Sequence, residues 1–195
     1  MDVSQLPGDL RDCIAFHGHY CGGLLIGYRA AKAAMERIGA RRSVDEELVA
    51  IVENDSCAAD AVQVLTGCTF GKGNFVYRDH GKHVYTFALR PSGRAVRVSR
   101  RTRDEIDQPE PDPALTGQER TDSHLQWMLA APADRLFRIE DLTIHLPETA
   151  VIRDSVMCDA CGEPVMQTRT RRLDGRTLYI PCAEAGREPD DGSAR

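Results

Sequence analysis

The spacing of apolar residues changes period several times along the chain, and each change marks an element. Leu24, Tyr28, Ala31, Met35 and Ile38 recur at helical spacing, with Arg29, Lys32 and Glu36 on the opposite face and Gly39 placed to end the helix. A shorter helix is predicted over residues 6–16, with Pro7 near its first turn, where a missing N–H costs little. Leu48–Val52 is an apolar run of strand length. Glu53-Asn54-Asp55-Ser56 then supplies turn and cap chemistry for a helix that turns Ala58, Ala61, Val62 and Leu65 inward and ends at Gly67. Segments 75–79, 83–90 and 94–99 predict strands, and the punctuation His80-Gly81 and Pro91-Ser92-Gly93 predicts antiparallel hairpins between them. The three prolines within 107–113 predict a loop, 115–131 a helix carrying the lone Trp127, and 136–146 a returning strand.

The expected fold class is therefore α+β over residues 1–150: a mixed or antiparallel sheet with packed helices. From Met157 the character changes to a cysteine knuckle, a basic strand-like stretch, a turn at Asp174-Gly175 and a further cysteine, Cys182. A small second domain is expected over 155–185, and the acid- and glycine-rich residues 186–195 are expected to be disordered.

Composition narrows the function class. No run approaches the roughly 18 apolar residues of a membrane span, and the N-terminus lacks the basic-then-apolar layout of a signal peptide, so a cytoplasmic location without membrane attachment is expected. An odd cysteine count, seven, then argues for thiols and metal ligands over disulfides. The net charge of -5 weighs against nucleic acid as a partner. Arg169, Arg171, Arg172 and Arg176 form a local exception, although their alternation with Thr168, Thr170 and Leu173 suits the solvated face of a hairpin.

Two clusters carry candidate chemistry. In Cys158-Asp159-Ala160-Cys161-Gly162 the two intervening residues let both sulfurs face one ion, and the glycine relieves the turn. A fourth cysteine would stand at 179, but that position is Tyr179. Cys158, Cys161 and Cys182 thus offer zinc three thiolates, with the fourth position left to water, a distant His or carboxylate, or Tyr179.

The second cluster is spread through the first third of the chain. Cys21 precedes the best helix and Cys57 falls in the first turn of another, both where a helix start favours an anion. His17 and His19 flank Gly18, and in an extended segment both imidazoles would point the same way, toward one metal. Asp60 lies one turn after Cys57 on about the same face. The stretch 67–74 looks like a phosphate loop but fails its spacing, which leaves Lys72 and Asn74 as polar contacts for some ligand. Cys13 is expected to be a buried small hydrophobe, and His80 and His83 to be solvated beside a turn.

These blocks resemble a known family. Phe16-His17-Gly18-His19-Tyr20-Cys21-Gly22-Gly23-Leu24 with Gly27-Tyr28-Arg29-Ala30-Ala31, and Glu53 through Gln63 continuing from Thr66 to Asn74, are similar to the signature blocks of FmdE, a family named for formylmethanofuran dehydrogenase. Cys158 to Glu163 and Ile180-Pro181-Cys182 resemble that family's appended treble-clef zinc finger. The resemblance implies a dimerising α+β core, a polar cleft built from the His17–Cys21 and Cys57–Asn74 blocks, and an auxiliary zinc site. Two departures stand out: Gly22 where a proline is usual, and Tyr179 where the finger has its third cysteine.

Three function classes follow. The first is a metal- or thiol-dependent enzyme or accessory factor, linked to one-carbon or molybdenum/tungsten-enzyme metabolism and acting on a small molecule. In it His17, His19, Cys21 and Cys57 hold a transition metal, zinc, nickel or iron, and Asp60 and Lys72 assist. The second is a non-catalytic regulatory or interaction module built on the finger. The third is a sulfur carrier that uses Cys21, Cys57 or Cys68.

Overall fold

The computed structural model describes residues 2–106, 108–110, 112–146 and 148–185. The chain divides into two compact units, Met1–Ala150 and Val151–Arg195. The expected disorder of 186–195 and parts of the 107–113 loop lie outside the described residues.

The first unit is a five-stranded sheet with helices packed on it. α1 (Gly8–His17), α2 (Gly22–Ile38), α3 (Ala58–Thr66), α4 (Gly117–Ala130) and the one-turn α5 (Ala133–Leu136) alternate irregularly with β1 (Leu48–Val52), β2 (Phe75–Tyr77), β3 (Val84–Leu89), β4 (Arg94–Arg100) and β5 (Phe137–Thr143). The sheet order is β2-β1-β3-β4-β5. β1, β3, β4 and β5 are antiparallel neighbours, in register at Val52↔Tyr85, Val84↔Ser99 and Val98↔Ile139. The β3–β4 hairpin forms as expected, but β2 does not pair with β3. It lies parallel to β1, with Ala50 opposite Phe75, so the His80-Gly81 segment carries the chain past β1 to β3.

Leu48, Ala50, Val52, Tyr85, Phe87, Val96, Val98 and Phe137 form the sheet's contribution to one core, and Leu24, Leu25, Tyr28, Ala31, Ala61 and Val62 are among the helical residues that close it. β1 is buried along its whole length, which a half-buried alternating strand would not be. Cys13 is fully buried there and its thiol is pushed up to about 12, mainly by burial.

A close backbone approach in the core occurs where α2 meets the start of α3. A Cβ on Gly27 would stand 2.2 Å from the Ala58 carbonyl oxygen, so only glycine fits there. That contact fixes the two helix N-termini beside each other. Both helices end at left-handed glycines, Gly39 at φ 71° and Gly67 at φ 70°.

The second unit is small. β6 (Ser155–Met157) and β7 (Pro164–Met166) flank the cysteine knuckle, β8 (Thr170–Leu173) and β9 (Arg176–Tyr179) form a hairpin turned at Asp174-Gly175, and α6 (Ile180–Ala185) follows. Its buried residues are Cys158, Leu178 and Ala183, with Val165, Leu173, Tyr179 and Cys182 packed around them. Among the described residues no helix is long and apolar enough to cross a membrane.

Two candidate metal centres

All seven cysteines are free, and among the described residues six metal-competent side chains gather in two groups of three. In the core unit the ligand atoms of His17, Cys21 and Cys57 lie within 4.8 Å of one another. Each comes from a helix end. His17 is the last residue of α1, and Gly18 at φ 94° turns the chain away, so residues 17–19 are not the extended segment the sequence suggested. Cys21 is the N-cap of α2, with Leu24 N–H donating to its sulfur at 3.4 Å. Cys57 is the N-cap of α3.

Gly23 relieves crowding beside the cysteines. A Cβ at that position would lie 3.2 Å from Cys57 Cβ, a tight approach, and 3.5 Å from its Sγ and 3.9 Å from Cys21 Sγ, at ordinary contact distance. Burial and the adjacent Cys21 thiol raise the Cys57 pKa. A free second thiolate is thus disfavoured at this spot unless a cation compensates it.

The far side of the imidazole is also settled. His17 Nδ1 lies 2.7 Å from Asp60 Oδ2. An ionised carboxylate only accepts, so Nδ1 carries a proton toward Asp60 and Nε2 is the ring nitrogen that faces Cys21 Sγ, 3.9 Å away. Gln63 Nε2 donates to the other Asp60 oxygen at 3.5 Å. Sequence spacing related Asp60 to Cys57; the structure gives it to His17, as the outer partner that metal-binding histidines commonly have.

The remaining core candidates are placed as follows. His19 is exposed and lies beside His17, with ring centroids 4.5 Å apart and planes tilted by 37°, but it is not among the three converging ligands. Lys72 Nζ donates to the carbonyls of Ser43 and Val44, and the buried Asn74 amide donates to those of Asp45 and Leu48. All four bonds lie at the end of β1 and α3 remote from Cys57, and α3, nine residues long, separates the ends by about 13 Å. The glycine-rich stretch therefore serves the backbone of 43–48, and Lys72 is not brought to the cluster. Cys68 is fully buried, with its sulfur donating to Leu48 O at 3.2 Å.

The loop before Cys57 is held by a hydrogen-bond relay. Asn54 Oδ1 accepts from Ser56 N–H at 3.1 Å and Ser56 Oγ–H at 2.6 Å, and Asn54 Nδ2 reaches Lys82 O and the Tyr85 hydroxyl. His83 Nδ1 meets that hydroxyl at 2.9 Å, so His83 is half-buried and engaged, unlike the solvated residue its turn position suggested. His80 is exposed, as expected, and pairs with Glu53.

In the second unit Cys158, Cys161 and Cys182 converge in the same way, again within 4.8 Å. Gly162 N–H returns to Cys158 O at 2.9 Å to form the knuckle turn, and Asp159 ties the knuckle to β9 through Thr177. The N–H of Tyr179 points at Cys158 Sγ, 3.4 Å away. Backbone N–H groups of Cys161 and Tyr179 pull the Cys158 thiol down to about 6, whereas burial and the other two thiols push Cys182 up to about 11. Cys161 Sγ also lies 3.8 Å from Glu163 Oε2, a neighbour that sequence reading did not single out, although it directly follows the knuckle glycine.

Comparison with known proteins bears on both units. A family model described as "FmdE, Molybdenum formylmethanofuran dehydrogenase operon" matches residues 16–138. The chain belongs to the FmdE family. Residues 152–185 match the prokaryotic dksA/traR C4-type zinc finger. An FmdE-like protein of the tungsten formylmethanofuran dehydrogenase type, from Syntrophus aciditrophicus, superposes with a TM-score of 0.67 over 92% of each chain at 21% identity, which shows a shared fold. A protein of Archaeoglobus fulgidus named as a probable S-adenosyl-L-methionine-binding protein is 32% identical over 86% of this chain. The chain spans about half the length of that curated relative.

The donor sets fit metal ions. Two sulfurs and an imidazole suit thiophilic transition metals and not magnesium, and three converging sulfurs in a C4-type finger suit zinc.

Proposed function

We propose that the core of this FmdE-family protein holds one transition metal, zinc, nickel or iron, on Cys21, Cys57 and His17, and works as a metal-dependent enzyme or accessory factor. The observation that carries this reading is the Asp60–His17 pair aimed, through Nε2, at two sulfurs within 4.8 Å. Three protein ligands leave a coordination position open, the arrangement of catalytic and not of structural sites. A metal bound there polarises a carbonyl or generates a nucleophilic water near neutral pH.

The chain's own residues do the rest. Asp60 fixes the tautomer and direction of His17, Gly23 relieves crowding beside the cysteines, and the Asn54–Ser56 relay holds the loop that presents Cys57. His19, exposed and with its ring 4.5 Å from that of His17, stands ready as a further ligand or proton carrier. The family name supports a link to one-carbon or molybdenum/tungsten-enzyme metabolism, and the name of the A. fulgidus relative supports a small-molecule ligand. The resemblance also supports a homodimer.

Cobalt(II) titration under anaerobic conditions tests the metal reading. The wild-type chain should show thiolate-to-metal absorption from two classes of site, Cys57→Ser should lose the core class alone, and Cys158→Ser the finger class alone. A Cys57→Ser spectrum identical to wild type contradicts it.

A second reading concerns the finger. Its order of knuckle, hairpin and short helix supports a treble clef, with zinc on Cys158, Cys161 and Cys182 and a fourth position beside Tyr179 or Glu163. Its match to dksA/traR fingers and the exposed Arg169, Arg171, Arg172 and Arg176 support a docking role toward protein or nucleic acid.

A further inference from the structure

The core unit contains a feature that the metal reading does not use: a cavity of about 830 Å³ bounded by α4, the start of β3, the end of β4 and the start of β5. Its volume is that of a small-molecule site. Lys82, Arg100, Arg101, Arg103 and Arg120 line it, against Glu110 and Asp112. The whole chain carries a net charge of -5, so the local balance is inverted. Among the described residues the side chains of Lys82, Arg100, Arg103 and Arg120 have no hydrogen-bonded or ion-paired partner, and the guanidinium of Arg101 meets only the Asp134 carbonyl.

Unpaired cations crowding one concavity repel one another, and a fold keeps them together at least cost when an anion joins them. The arginines are close enough to act on their neighbours. Burial and Arg100 lower the pKa of His83, and burial, Arg100 and Arg103 lower that of His124.

One wall is flat and aromatic. The rings of His124 and Trp127 stack with centroids 5.9 Å apart and planes 20° apart, and Ile26, Met128 and Phe137 supply apolar surface beside them. Aromatic faces next to arginines accept planar heterocycles that carry negative charge.

We propose that this cavity binds a nucleotide-class small molecule, its planar ring lying against Trp127 and its phosphate or equivalent anion held by Arg100, Arg103 and Arg120. The inference goes beyond the metal reading and does not depend on it. His83 lines the cavity and joins the Tyr85–Asn54–Ser56 relay toward Cys57, so a ligand here would touch the same hydrogen-bond chain that supports the core cysteines.

The test uses the full chain in magnesium-free buffer. Trp127 is the only tryptophan, so its emission reports the cavity wall without interference. Four probes separate the contributions: ADP carries ring and anion, pyrophosphate the anion alone, adenosine the ring alone, and S-adenosylmethionine the ring with a net positive charge. ADP should change Trp127 emission saturably and bind at least about tenfold more tightly than any of the other three. Arg100→Gln and Arg103→Gln should each weaken ADP by about tenfold and leave adenosine nearly unchanged. Retained thermal unfolding in both variants, whose side chains lie at the solvent-exposed rim, separates lost binding from lost fold. Cys57→Ser should still bind ADP, so failure of the metal reading and failure of this one give different results. No saturable response to any probe, ADP no better than adenosine, variants that bind ADP like wild type, or S-adenosylmethionine binding as tightly as ADP would overturn the proposal.

Discussion

The core and the finger each bring three metal-competent side chains within 4.8 Å, yet they reach that geometry from opposite starting points. In the core, a large apolar cluster from five helices and five strands already fixes α1, α2 and α3, and His17, Cys21 and Cys57 sit at helix ends that would be in place without any ion. In the finger, the buried cluster comprises Cys158, Leu178 and Ala183, one of them a ligand. So small a core leaves little apolar burial to oppose chain entropy, the condition in which a bound metal contributes folding free energy. A site preorganised by its fold can give up a coordination position to chemistry, whereas a site that creates its fold needs its ligands for stability.

Removing metal should separate the two regions most sharply. Chelation, or Cys158→Ser, should unfold residues 152–185 outright, because structural zinc contributes about 10–16 kcal/mol in isolated fingers. The core should keep its thermal transition. Hydrogen exchange resolved by segment checks this: loss of protection confined to the second unit is expected, and simultaneous loss in α2 and α3 would erase the contrast.

The next effect is expected in the core. Asp60→Asn removes the carboxylate that orients His17 while keeping nearly the same volume, and should weaken core metal binding by about 10- to 100-fold. Competition with a chromophoric chelator measures it. Finger affinity should not change, and global stability should fall little, since Asp60 is partly exposed and the pair is not part of the apolar core.

The smallest effect concerns Tyr179→Cys. A cysteine there would offer the finger a fourth thiolate with two residues between it and Cys182, and metal release should slow by about tenfold, equivalent to about 1.4 kcal/mol. Stopped-flow chelation reads the rate. An unchanged rate would show that another group, with Glu163 the nearest carboxylate to Cys161, already completes the shell.

The parts of this arrangement differ in how far sequence alone reveals them. The helical stripe from Leu24 to Ile38, its stop at Gly39, and the inward face of α3 are local patterns, and they appear in the structure with shifts of a residue or two. Cys21 and Cys57 were legible as helix-start residues, and Gly27 against Ala58 explains physically why those starts meet, but a close approach of two backbones leaves only a glycine as its sign. The parallel pairing of β2 was not legible: a three-residue strand has too short a period to specify its partner, and turn residues at 80–81 suit a hairpin or a crossing equally well. Lys72 and Asn74 misled because glycine-rich loops that serve a ligand and those that serve their own backbone share a composition. The cationic cavity draws on residues from Lys82 to Arg120 in separate segments, and no window of sequence contains it.

The claim on which the rest depends is that His17, Cys21 and Cys57 form one centre. X-ray absorption on the full chain carrying Cys158→Ser, Cys161→Ser and Cys182→Ser, reconstituted anaerobically with zinc, tests it without signal from the finger. The account predicts about one zinc per chain, with sulfur scatterers at about 2.3 Å and nitrogen or oxygen scatterers at about 2.0–2.1 Å. A chain that retains its fold but holds no zinc, or holds it in an all-oxygen shell, would contradict it.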